Sequence, residues 1–183
     1  ALVVPPSSPA RSVAVLVELG RQPGRGLSYA SSSAGSASHL MAETFARRNG
    51  MNVTHVPYRG NAQPIQDLSA GVVDFMMTSW ASVSALVLDG RLRVLAVGGA
   101  RRFPDQPDVP TLTELGYDYV SEASWFGLFA PGGTSVAVLE RVHAATEAAL
   151  ADPVLRARLE AAGFRIETMP PAAFAVFHRA EIV

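Results

Sequence analysis

Apolar positions along this chain switch repeatedly between strand and helix spacing. Residues 1–4 (ALVV) are apolar throughout and stop at Pro5-Pro6, which reads as a strand. Across 12–22, Val13, Leu16, Val17 and Leu19 recur at helical spacing, and Pro23-Gly24 closes the segment. A short strand follows at 27–31. Next comes a helix at 36–49, with Ala37, Leu40, Met41, Thr44 and Phe45 on one stripe and Gly50 placed to end it. Residues 53–56 form a strand ended by Pro57, and 61–70 a helix that tolerates Pro64 in its first turn. A buried strand at 75–78, a short helix at 82–88 and an apolar run at 92–98 (LRVLAVG) continue the alternation. The proline-rich RRFPDQPDVP then leads to a brief helix at 111–115. The remainder reads as an aromatic strand at 124–130 (SWFGLFA), helices at 135–151 and 153–162, a short strand at 165–167 and a last helix at 171–182.

Strands alternating with helices predict an α/β fold, a mostly parallel sheet with helices on both faces. Ligands of such sheets sit beyond the carboxyl ends of the strands, at helix starts. The boundary between two parts is expected within 101–124. Composition narrows the chemistry. With 49% hydrophobic and 17% charged residues the chain is globular, and a net charge of −1 offers no footprint for nucleic acid. Without cysteine there is no disulfide, thiol nucleophile or thiolate metal site. No apolar run approaches the roughly 18–20 residues that span a bilayer. The opening ALVVPPSSPARS has no basic segment followed by a long apolar core, so it reads as a strand in progress rather than a secretion signal.

Six serines and one glycine precede or open the helix in SYASSSAGSASHLMAETF (28–45). The first amides of a helix lack partners and carry partial positive charge, and small residues let an anion approach them. Ser31, Ser32, Ser33, Gly35, Ser36, Ala37, Ser38 and His39 are therefore candidates for an uncharged carboxylate cradle; an ordinary serine helix cap is the plainer alternative. The stretch is neither a phosphate loop nor a nucleophile elbow, because GSASH lacks G-x-S-x-G. Two further strand-to-helix junctions carry Tyr58 and Thr78-Ser79, and Trp125 opens the aromatic strand. His39, His55, His143 and His178 are scattered in sequence without metal-ligand spacing. No catalytic constellation or cofactor motif emerges, which favours binding over catalysis. A serine hydrolase and the ligand-sensing domain of a regulator remain as alternatives.

Six segments in this order and spacing carry a resemblance: YASSSAGSASHLMAETF, VTHVPYRGNAQPIQDLSAGVVDFMM, GRLRVLAV, DVPTLTELGY, SWFGLFAPGGT and ALADPVLRARLEAAGF. Over essentially its whole length the chain resembles the substrate-binding proteins of tripartite tricarboxylate transporters, the Bug family. The resemblance implies a periplasmic receptor with a type II periplasmic-binding-protein fold, closing two lobes on a small organic acid and serving membrane transporter subunits. It places the ligand carboxylate between two strand-to-helix loops, one per lobe. One corresponds to Ser31–His39; Thr78, Ser79 and Trp125 lie near the cleft. It also implies that 1–122 is the second lobe, and 123–183 the C-terminal part of a first lobe whose N-terminal half has no counterpart in the chain. Where the family often has an acidic-asparagine pair, Thr78-Ser79 stand here, which implies an acid without a free ammonium group. Apolar faces at Val138, Leu139, Val142 and Leu155 would then lack cover, so self-association is expected.

Overall fold

The computed structural model describes residues 1–99, 101–103, 106–120, 125–161, 164 and 166–180. The chain divides into two compact units, Ala1–Ser124 and Trp125–Val183.

In the first unit β1 (Leu2–Val4), β2 (Leu27–Ser31), β3 (Val53–Pro57), β4 (Phe75–Met77) and β5 (Arg93–Ala96) form one sheet in the order β3-β2-β4-β1-β5. β2 runs parallel to both β3 and β4, and β1 runs antiparallel to both β4 and β5. Four strands thus point one way and β1 alone opposes them. Strand alternation decides which helix covers which face. Leu2, Val4, Leu27, Tyr29, Phe75 and Met77 face α1 (Val13–Arg21) and α2 (Ala37–Arg48). Val3, Ala30 and Met76 face α3 (Ala62–Ser69) and α4 (Trp80–Leu88). Local signals set the helix limits. Ser12 caps α1 by accepting from the Val15 amide, and Gln22 ends it. Gly50, with φ +62°, takes the left-handed turn after α2 that suits glycine.

Expectation and structure part at several places. The helix expected at 111–115 is a turn, although Thr111 and Glu114 make the reciprocal bonds of a capping box at 3.1 and 3.0 Å. Thr111 instead bridges to Val97, and Gly116, at φ +83°, turns the chain before a helix propagates. α4 starts at Trp80 rather than at 82.

In the second unit α5 (Val136–Ala151), α6 (Pro153–Ala161) and α7 (Pro171–Ala180) form where periodicity put them. Residues 125–130 are not a strand: an extended segment becomes sheet only against a partner edge, and none of the described residues of this unit is in a strand. Ile166 and Glu167 are irregular too, and Ser124, Arg165 and the ends of the helices expected to reach 162 and 182 lie outside the described residues.

Candidate functional site

Because β2, β3 and β4 are parallel neighbours, α2, α3 and α4 all begin at the same sheet edge. The β2–α2 loop is the most constrained of the three junctions. Ser36 caps α2, its Oγ accepting from the His39 amide at 3.3 Å and donating to the Ser33 carbonyl at 2.7 Å. The Ser38 Oγ accepts from the Ser32 amide at 3.2 Å and lies 3.2 Å from the Ser32 hydroxyl and 2.9 Å from that of Ser36. Gly35 sits at φ +77°, a conformation glycine adopts freely. The next loop is tied on by backbone bonds, Tyr58 N–H to the Ser31 carbonyl at 3.0 Å and Gly60 N–H to the Ser32 carbonyl at 2.8 Å.

These bonds revise the part expected of the hydroxyls. Those of Ser31, Ser32, Ser36 and Ser38 hold one another and the loop backbone. The groups left without a partner among the described residues are the Ser33 hydroxyl and the amides of Ser33, Ala34, Ala37 and Ser38. At α3 and α4, the capping positions Asn61 and Ser79 make no side-chain cap bond, so those helix starts are also open. The Ser79 hydroxyl lies 2.7 Å from that of Ser82. Thr78 is held by its amide, which donates to the Ala1 carbonyl at 3.0 Å. The Tyr58 hydroxyl donates to Asp67 on α3 at 2.7 Å; burial and then that carboxylate push its pKa up to about 12. Trp125 lies in the second unit, its ring packed against Phe174, Phe177 and His178 with centroids 5.5, 5.5 and 5.9 Å away.

Sequence spacing did not reveal His55. It pairs in register with Tyr29, and its ring lies 3.9 Å from that of His39 at 12° and 4.9 Å from that of Tyr29. Two of the four histidines scattered in sequence therefore stack. Alternation in VTHVP marks the side of β3 on which His55 lies, but the contact depends on strand register and on α2 folding over it. Burial, and then the neighbouring His39, hold the His55 pKa below the ordinary imidazole range. Under the stack the Tyr29 hydroxyl donates to Glu43 at 2.6 Å, and Arg47 pairs with Glu43 at 2.6 Å. Burial and then Glu43 raise the Tyr29 pKa far above that of a free phenol. The Tyr29 bond, followed by Arg47, lowers the pKa of Glu43.

Ser31 and His55 approach within 2.7 Å, the distance of a nucleophile–base pair. Their roles run the other way. Ser31 is fully buried and its hydroxyl donates to the Ser33 carbonyl at 3.0 Å, so it accepts from His55 Nε2–H. A histidine that donates its proton to the serine cannot remove the serine's own. The pair fastens β2 to β3.

The chain matches the family model described as tripartite tricarboxylate transporter family receptor over residues 1–179. It is 36% identical over 182 residues to the UPF0065 protein in the tcbD-tcbE intergenic region of Pseudomonas sp. strain P51, covering 98% of this chain and 54% of that protein. Among solved structures it resembles R. palustris Rpa4515 with adipate, with a TM-score of 0.89 and 33% identity over 99% of this chain and 60% of that one. It also resembles the periplasmic binding protein BugD, with a TM-score of 0.77 and 29% identity over 88% of this chain and 54% of that one. The chain thus spans little more than half the length of these proteins. Its relatives are solute-binding receptors rather than enzymes. The match over nearly the whole chain shows that it belongs to the family of tripartite tricarboxylate transporter receptors.

Proposed function

We propose that this chain is part of a periplasmic receptor that binds a small organic carboxylate and presents it to the membrane subunits of a tripartite tricarboxylate-type transporter. The observation that carries this reading is the sheet edge where three helices start, with Arg59 the one charged residue in their three loops. An anion held there would be met by the Ala37 and Ser38 amides, by the Ser33 hydroxyl and by the open starts of α3 and α4. Adipate in a related structure supports a dicarboxylate with an apolar middle. Thr78 and Ser79 offer hydroxyls and no carboxylate, so the reading favours acids without an ammonium group. Ser31, Ser32, Ser36 and Ser38 shape the loop, Gly35 and His39 complete it, and Tyr58 braces it from α3.

If Ser31–His39 is one of two jaws, the chain alone binds weakly. Stabilisation by a ligand grows as RT ln(1 + [L]/Kd), so about a hundredfold excess over Kd adds ~2.7 kcal/mol. Thermal unfolding is to be followed with adipate, malate, succinate and glutamate at concentrations up to tens of millimolar. Stabilisation by plain dicarboxylates that exceeds that by glutamate and by matched sulfate supports the proposal. Equal shifts with every anion refute it.

A further inference from the structure

The loop contains a bond that its proposed task would have to break. The Gly35 N–H donates to His39 Nδ1 at 3.0 Å, which requires an unprotonated Nδ1. We propose that His39 couples carboxylate binding at this loop to uptake of a proton: neutral, it holds the Gly35 amide; protonated, it releases that amide to the ligand and sets an imidazolium beside the ligand's charge.

The inference rests on the carboxylate reading above and deepens it. Protonation at Nδ1 would place two donors face to face and end the Gly35 bond. The His39 ring has little freedom to avoid this by turning, because it lies flat on His55, which lies flat on Tyr29. Gly35 is the movable partner: at φ +77° it occupies backbone space open to glycine, and the volume where a side chain would sit is empty. Released, its amide can join those of Ala37 and Ser38.

The titratable and charged groups packed about His39 come from β3, β2 and α2. On β3 is His55, which cannot carry a second charge 3.9 Å away without cost. On β2 is Tyr29, whose hydroxyl is committed to Glu43. On α2 itself is the Glu43 carboxylate, engaged by Tyr29 and Arg47, both at 2.6 Å, and within electrostatic reach of His39. The loop contributes hydroxyls only. A ligand carboxylate adds negative charge beside the ring, so binding and protonation reinforce each other. By linkage, the carboxylate binds more tightly as pH falls through the imidazole range.

Two measurements test this. In the ligand-free 15N-labelled chain, the Gly35 amide is followed from about pH 8 to about pH 5.5, spanning the ordinary imidazole range. Its resonance is expected to move with the His39 ring and its exchange protection to vanish below that midpoint. A Gly35 amide indifferent to the His39 titration overturns the proposal. Adipate is then titrated calorimetrically in two buffers of different ionisation enthalpy. The wild-type chain is expected to take up a proton and to bind several-fold tighter at about pH 6 than at about pH 8. His39→Gln, which keeps an acceptor for Gly35, is expected to take up none, while His55→Gln still does. Proton uptake unchanged in His39→Gln overturns the proposal. If adipate binds at neither pH, the carboxylate reading falls, and the Gly35 titration alone decides whether His39 is the lock.

Discussion

Two helices written by the same rules end in opposite surroundings. α2 places Ala42, Phe45 and Ala46 against the sheet, all fully buried. α5 has an apolar stripe of comparable spacing, yet it buries no residue: Val136 is 68% exposed, Val138 47% and Val142 48%. The contrast extends to whole units, since no described residue from Trp125 onward is fully buried. An amphipathic pattern encodes which face is to be covered, and says nothing of what covers it. Covered apolar area stabilises by about 25 cal/mol per Å², and uncovered area contributes nothing, so the same substitution has different consequences in the two units.

The largest expected effect is in the first unit. Phe45→Ala removes a buried ring that packs edge-on to Tyr117 at 5.3 Å, and is expected to cost about 3–5 kcal/mol in urea unfolding of the first unit. A cost below about 1 kcal/mol would show that α2 is not the core helix described here.

That contrast also marks how far the sequence could be read. The β2–α2, β3–α3 and β4–α4 junctions were legible because strand and helix periods change abruptly there and parallel strands bring their ends to one edge. A serine cap at this helix start was legible, but not which serine: the helix expected from 36 begins at Ala37, with Ser36 as its cap. The His39–His55 stack was not legible, since it follows from the β2–β3 register rather than from spacing. The strands expected at 124–130 and 165–167 have strand composition, but 125–130 and 166–167 are irregular, because a strand is a relation to a neighbour. The turn at 111–115 has the capping signal of a helix without the length to propagate one.

A smaller effect is expected at the loop. Ser36→Ala deletes the cap of α2 together with the bond to the Ser33 carbonyl, and is expected to cost ~1 kcal/mol while lowering amide protection from 33 to 40. In contrast, Ser135→Ala at the start of α5, where no cap bond forms, is expected to change stability by less than about 0.5 kcal/mol. Equal costs at the two positions would erase the distinction between the helix starts.

His55 adds a pH dependence confined to the first unit. Its folded pKa lies below the unfolded value of about 6.5, so the unfolded chain binds the proton more readily. Its contribution to stability is therefore present above about pH 6.5 and is lost as pH falls through the folded pKa. Urea midpoints of the first unit should decline across that window, and the decline should be shallower in His55→Gln. A midpoint that rises on acidification would contradict the buried neutral ring.

The smallest expected effect returns to α5. Val142→Ala should change the stability of the second unit by less than about 0.5 kcal/mol, because a half-exposed valine loses little contact. A cost above about 2 kcal/mol, the range of a buried truncation, would mean that this stripe is covered in solution. A mass above that of the 19.3 kDa chain would then identify a second copy as the cover.

The central claim is that the carboxyl edge of the first unit's sheet is where a carboxylate binds. Backbone amide shifts recorded while adipate is added to the 15N-labelled chain test it most directly. The account predicts saturable changes concentrated at Ser33–His39, Gly60–Ala62 and Ser79–Ala81, with those of Ala37 and Ser38 among the largest. Saturable changes centred on another surface, or shifts that follow ionic strength alone, would contradict it.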